Sequence, residues 1–392
     1  MNKVKSFFIR SYHIVNDALT KFTKKEAVKT IITSLWCALF GLLIGFVILL
    51  CIKPSNALEG MASTLKNFFI FSTGETRLRY FGSTLAKTAP LIVMSLSILF
   101  GCKCGLFNLG ASGQYTIAFV VILFAGIVGN LPWYLVMLLA MLAGAAYATI
   151  TGLLKAFFNV SEVISGIMLN WIALYFANGI LSGNEKVWNV SMGESFKITQ
   201  GSPAFLPNIG LDKLFSGNSI VGIGIIFALL AAIIVFIVLR KTTFGYEIQA
   251  IGLNPDASSY AGMNKVKSTI ISTAICGALA GLAASLNAQN GFTSWQLSST
   301  VVSVGFDGIS SAFLGGLNPL GAVFSSYFIT HITDGGSVIT DLGYAPQVAN
   351  IMTASIIYLS GFVAFIKQYI GERDLVREQK LLSRENYRKE KK

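Results

Sequence analysis

Long stretches without Asp, Glu, Lys or Arg dominate the chain. They run 31–52, 88–102, 104–154, 163–184, 214–239, 268–306, 308–333 and 342–366. A membrane-crossing helix rises about 1.5 Å per residue and needs about 20 mostly apolar residues. Most stretches accommodate one crossing. The 104–154 stretch accommodates two, with Asn130-Leu131-Pro132 as the turn, and Lys103 separates it from the run before. The pattern predicts an all-α integral membrane protein, a polytopic bundle of about ten transmembrane helices. The predicted spans are 31–52, 83–101, 112–129, 132–154, 162–182, 218–239, 268–288, 300–315, 318–333 and 345–366.

Three domains of the chain follow from this map. Residues 1–30 form a basic tail, 31–366 the transmembrane domain and 367–392 a second basic tail. Within the domain, 53–82 and 183–217 are expected as outer loops and 240–267 as an inner one. Phe68, Phe69, Tyr80 and Phe81 are expected along the outer membrane interface, where aromatic rings collect. The first apolar run is too long for a cleavable leader and lacks an Ala-x-Ala site, so it reads as a true span.

Composition sharpens the picture. Hydrophobic residues make up 54% of the 392 and charged residues 12%, against about 25% charged in soluble domains. The net charge of +12 would suggest nucleic acid in a soluble protein, but here it gathers in the tails beside apolar spans. With both termini inside, 22 of the 30 basic residues fall on the inner side. That asymmetry predicts a multi-pass protein with both termini cytoplasmic, in contact with membrane lipid and not with nucleic acid. Cys37, Cys51, Cys102, Cys104 and Cys276 sit in or beside apolar runs, and no disulfide or metal site is expected of them.

Chemistry concentrates in three segments. Residues 105–114 place Gly105, Gly110 and Gly113 with Asn108, Ser112 and Gln114 inside otherwise apolar sequence. Non-helical backbone at membrane depth survives only where protein buries it or where it lines a cavity. The segment is therefore either a break beside a solute path or a turn between spans. A looser echo, 316–321, follows the eighth span.

The second segment is 244–262. Asn254 suits a helix cap, Pro255 the first helical position, Asp256 the positive helix end, and Gly262 the stop. About two turns of helix are expected, with Ala257 and Ala261 on one face and Tyr260 beside them. A short helix with a small-residue face suits docking into a partner's groove; the alternative is a plain connecting loop. The third feature is Asp307, the only acid between Asp256 and Asp334. An ionisable residue in a span is expensive and marks a cap or a solute contact. Asn170 is a lone amide in the fifth span and reads as a helix-to-helix hydrogen bond or a path residue. His13 and His331 are isolated. The chain has no Gly-x-x-x-x-Gly-Lys-[Ser/Thr] phosphate loop, catalytic triad or zinc motif, and no paired acids within spans.

With these segments in hand, the sequence resembles the permeases of bacterial ABC importers for branched-chain amino acids, ribose-type sugars and nucleosides. The larger permease of the nucleoside or simple-sugar branch is the nearest likeness. The residues carrying it are GLFNLGASGQ (105–114), SEVISGIMLNWIALY (161–175), GYEIQAIGLNPDASSYAGMN (245–264) and GFDGISSAFLGGLNPLGAVF (305–324). Related sequences often carry an acid at Ser112 and Ala at Ser258.

The resemblance implies a bacterial cytoplasmic-membrane permease that imports nucleosides by alternating access, with ribose-like sugars or a secondary transporter as alternatives. It implies no enzyme activity and no cofactor here, since ATP and Mg would bind a partner ATPase subunit. A second permease and an extracytoplasmic substrate-binding lipoprotein would complete the assembly. The family's interrupted segment near the translocation path falls on Asn108, Gly110, Gly113 and Gln114, and with Ser112, Asn170 and Asp307, read from the residues above, the expected substrate pathway is Asn108, Ser112, Gln114, Asn170 and Asp307. The cytoplasmic coupling helix would involve Gly252, Asn254, Pro255, Ala257, Tyr260, Ala261 and Gly262.

Overall fold

The computed structural model describes residues 26–345, 347–362 and 365. Most of residues 1–30, all of 367–392 and the end of the expected 345–366 span lie outside that range. Helices dominate: α1 (Glu26–Ile52), α2 (Ala57–Lys66), α3 (Gly74–Lys103), α4 (Ala111–Leu123), α5 (Trp133–Phe158), α6 (Glu162–Ser182), α7 (Leu211–Leu214) and α8 (Gly224–Lys241). There follow α9 (Thr243–Leu253), α10 (Pro255–Tyr260), α11 (Lys265–Ala288), α12 (Val304–Leu314), α13 (Pro319–Ser337) and α14 (Gln347–Ser360). Among the described residues, six helices are long and apolar enough to cross a membrane: α3, α4 with its π-turn Phe124–Val128, α5, α6, α8 and α11.

The structure departs from the sequence map in four places. The expected outer loop 53–82 is largely helical, because α2 fills its first half and α3 begins at Gly74. The expected span 300–315 shortens to the 11 residues of α12, about 16 Å of helix, half of a bilayer's hydrocarbon core. The chain is not wholly α: within 183–217, Trp188–Asn189 pairs antiparallel with Glu194–Ser195 as a small hairpin, β1 and β2. His331, isolated in sequence, is enclosed by Asn67, whose Nδ2 donates to its carbonyl (3.1 Å), and by the ring of Phe68.

The centre of the bundle is α11, packed on α3, α4 and α5. Its seam with α5 is built from small residues four apart. Ala140 and Gly144 on α5 lie directly against Gly281 and Gly277 on α11. A Cβ on Gly277 would run into the Gly144 carbonyl, and one on Gly281 into the Ala140 carbonyl. In lipid, where tails are as apolar as side chains, such close backbone approach is what drives helix association. Around this seam the inward faces of α3, α4, α6 and α8 complete one buried core, from Ile92 and Leu96 through Phe119 and Leu174 to Val235. The outward faces of α5, α6 and α8 expose large apolar side chains such as Leu138, Ile172 and Ile234. In a soluble protein that would be a liability; facing lipid it is the expected state.

Turns close by local chemistry. Asn159 takes the left-handed conformation (φ 52°) after α5, and its neighbour Val160 donates back to Leu154 O (3.2 Å). Lys155 and Glu162 then bridge α5 to α6 at 3.0 Å.

Candidate functional site

The site grows from a helix start that lacks its own cap. α4 begins after Gly110, whose absent side chain cannot accept from the exposed N–H groups of the first turn. Asn170 of α6 supplies what is missing. Its Oδ1 accepts from Gly113 N (2.7 Å) and its Nδ2 donates to Leu109 O (2.8 Å). One buried amide thus satisfies a free donor and a free acceptor of the break, which is why an amide stands in an apolar span. Asn108 and Gln114 answer one another in the same way, Asn108 Nδ2 donating to Gln114 Oε1 (3.0 Å) and Gln114 Nε2 to Asn108 Oδ1 (2.8 Å). Ser112 Oγ donates to Val302 O (2.9 Å).

That last bond ties α4 to a second interruption. After α11 the chain leaves helical structure, runs through 289–303 and starts α12 at Val304. Gly305 lies against the start of α4; a Cβ there would sit 2.8 Å from Ser112 N. Two helix N-termini therefore meet at one point, each carrying partial positive charge. Asp307 falls in the first turn of α12, where a carboxylate is favoured, and accepts from Ser303 Oγ (3.2 Å). The neighbouring Phe306 is exposed (46%), as is Ser303, while Asp307 is half-buried.

The structure thus brings Asn108, Ser112, Gln114, Asn170 and Asp307 around one pair of helix breaks. The first four spend their polar groups on one another and on the backbone. Asp307, with Ser303 and Phe306, keeps an accessible surface. Sequence reasoning missed Ser303 and Phe306, although Phe306 immediately precedes the acid.

The second constellation follows the C-terminal end of α8. Three caps punctuate it: Thr242 Oγ1 accepts from Gly245 N (3.0 Å), Asn254 Oδ1 from Asp256 N (3.2 Å) and Ala257 N (3.0 Å), and Asn264 Oδ1 from Lys267 N (3.0 Å). Pro255 occupies the first turn of α10, as its fixed φ suits. Gly262 ends the turn at φ 84°. Tyr260 is 95% exposed and Leu253 88%, with Ala257 and Ala261 also exposed. The two large side chains form the exposed rim of the capped segment.

The two constellations touch. Gly252, near the end of α9, lies against the turn that follows α3. A Cβ on Gly252 would stand 2.7 Å from Cys104 C and from Gly105 N. Gly105 itself holds φ 72° and a Cβ there would stand 2.7 Å from Gly252 Cα. Three residues beyond that contact comes Asn108 of the amide pair.

One further polar group was not expected. Lys87 Nζ on α3 and Asp334 Oδ1 on α13 form a 2.8 Å ion pair, with Thr84 Oγ1 donating to Asp334 Oδ2 (3.0 Å). Lys87 falls inside the predicted span 83–101, and a lysine within a span needs a partner; that was the available signal. The partner, 247 residues away, was invisible.

Comparison with known proteins places the chain among described relatives. The family described as branched-chain amino acid transport system permease component matches residues 80–361. The nucleoside ABC transporter permease protein NupB of Lactococcus lactis is 33% identical over 337 residues, covering 84% of this chain and 90% of its own length. The guanosine ABC transporter permease protein NupP of Bacillus subtilis is 34% identical over 283 residues, covering 71% and 80%. The nucleoside ABC transporter permease protein NupC, from the same Lactococcus strain as NupB, is 28% identical over 258 residues, covering 62% and 77%. No solved structure matches the chain. The breaks, the capped segment and the small-residue seam all fall within the matched range, and the chain belongs to the family of branched-chain amino acid transport system permease components.

Proposed function

We propose that this chain is the transmembrane subunit of an ATP-driven nucleoside importer. One observation carries the reading: a third of its residues are identical, over most of its length, to a permease named for nucleosides. The fold supports it with two interrupted helices at membrane depth and a capped, exposed segment at one end of the bundle.

In this reading the bundle crosses the membrane about ten times. α1, α13 and α14 join the six long helices, α12 completes a crossing together with the non-helical chain before it, and both termini are cytoplasmic. Nucleosides pass beside the paired breaks. Asp307 and Ser303 offer an acceptor and a hydroxyl to ribose or base, and Phe306 offers a ring face. Asn108, Ser112, Gln114 and Asn170 hold the breaks in register. Gly252, Asn254, Pro255, Ala257, Tyr260, Ala261 and Gly262 form the surface on which a separate ATPase subunit docks. ATP and Mg bind that subunit, and this chain carries no cofactor of its own. Similarity to both NupB and NupC of one organism supports a second, related permease as partner. A substrate-binding lipoprotein delivers solute from outside.

The experiment is uptake of labelled nucleosides and labelled ribose by cells with and without this chain. Loss of nucleoside uptake alone is expected. Loss of ribose uptake alone would move the permease to the sugar branch, and uptake unchanged for both would overturn the reading.

A further inference from the structure

At the end of α8 the bundle holds an open cavity of about 980 Å³, walled by the last turn of α8, the start of α9, the 261–264 turn and the first turns of α11. Its lining carries three cations, Arg240, Lys241 and Lys267, against one acid, Glu247. Among the described residues none of the three cations is in an ion pair. Arg240 rests over the ring of Phe236 (5.4 Å), which holds its guanidinium at the rim. Thr243, Ser268, Phe244 and Ile271 also line the cavity.

What covers this cavity is told by the face leading to it. Ile226, Leu230, Ile233, Ile234 and Ile237 form an exposed apolar stripe along α8. Arg240 and Lys241 follow Ile237 by three and four positions, on the same side of the helix. From Ile226 to Ile237 the stripe is about 16 Å long, the depth of one leaflet of hydrocarbon. A free phosphate, or an acidic loop of a partner subunit, would use the cations and leave the stripe unused. A molecule with an anionic head and acyl chains uses both.

We propose that this cavity binds the headgroup of an anionic phospholipid, with its acyl chains laid along α8. The inference rests on the orientation given under Proposed function, which puts this end of α8 at the cytoplasmic leaflet, where anionic lipid attracts basic residues. Ala261 and Gly262 line the same cavity. The lipid therefore sits behind the exposed segment and fixes its position on the bundle.

The test is native mass spectrometry of the full-length chain in detergent, titrated with phosphatidylglycerol or phosphatidylcholine. Each neutralised cation should weaken anionic-lipid retention by roughly fivefold. Arg240→Gln/Lys241→Gln/Lys267→Gln together should remove the preference for phosphatidylglycerol, while Lys213→Gln, on α7, should keep it. If the triple variant fails to insert, Lys267→Gln alone is measured. Equal retention of the two lipids by the unaltered chain would overturn the proposal. So would an undiminished preference in the cavity variants, or displacement of the lipid by inorganic phosphate. Loss of phosphatidylglycerol when the ATPase subunit joins would also overturn it, by assigning the cavity to that partner. Binding is read on the chain alone, so it stands or falls apart from nucleoside uptake.

Discussion

Replacing Gly252 by alanine tests whether the exposed segment speaks to the helix break. On helix propensity alone the change should help, by about 1 kcal/mol, since alanine is the better helix former. The packing says otherwise. The new Cβ would meet Cys104 C and Gly105 N at 2.7 Å and Lys103 O at 2.9 Å. These are backbone atoms with no rotamer to yield, so ordinary contact requires the end of α9 and the 104–106 turn to part by on the order of 1 Å. Forced separations of this kind cost about 1–3 kcal/mol. Less the propensity gain, a net of up to about 2 kcal/mol remains, which slows transport by up to roughly thirtyfold where the two segments must move together in each cycle. The assay is ATP-driven nucleoside uptake by the complete importer, with membrane abundance, ATPase co-purification and ATP hydrolysis read in parallel. Uptake should fall while abundance and co-purification hold. Gly179→Ala is the control: it brings the same propensity gain inside α6, and its Cβ would meet nothing within 4 Å. Full uptake with Gly252→Ala would refute the contact as a transmitting element.

Gly262→Arg should abolish uptake with normal abundance, because the site is open within the subunit but lies on the proposed docking face; undiminished transport would remove that face from the account. Gly277→Leu should destabilise the bundle by about 3 kcal/mol through collision with Gly144, read as a lowered thermal midpoint in detergent, while Gly179→Ala, in the interior of α6 with nothing within 4 Å, should not lower it and gains up to about 1 kcal/mol of helix propensity. Lys87→Met should cost about 2 kcal/mol by stranding Asp334, less than for a fully buried pair since Lys87 stays 34% exposed; Lys87→Met/Asp334→Leu should regain most of it in the same assay. The Ser294 hydroxyl, followed by Gln296 and Lys197, holds the Glu194 carboxyl below its ordinary value. A depressed carboxylate stabilises at neutral pH and stops doing so as pH falls through its folded pKa. Amide-exchange protection at Ser195 and Trp295, which hydrogen-bond each other between β2 and the 289–303 segment, should therefore persist into the carboxylate range and fall below it, and Glu194→Gln should remove the dependence.

What could be read from sequence was local. The long apolar runs announced α4, α5, α6, α8 and α11 because a span needs nothing beyond its own hydropathy and length. α10 was legible residue by residue, since Asn254, Pro255 and Gly262 act on neighbours within three or four positions. What failed was non-local. Asn170 could be seen as an unusual amide, but not as the cap of a helix starting 59 residues earlier. Lys87 could not name Asp334. The 300–303 residues are as apolar as the helix that follows, and hydropathy cannot tell that Val302 surrenders its carbonyl to Ser112 instead of to its own helix. The 53–82 segment carries charges spaced through an amphipathic α2, which reads as a loop when only the absence of charge is scored.

The most direct test of the account reconstitutes this chain with its ATPase subunit, second permease and binding protein in proteoliposomes and measures labelled nucleoside accumulation. Accumulation against a gradient that needs hydrolysable ATP, and stops with a non-hydrolysable analogue, is the expected result. Accumulation without ATP, driven by an ion gradient, would contradict it and make the chain a secondary transporter.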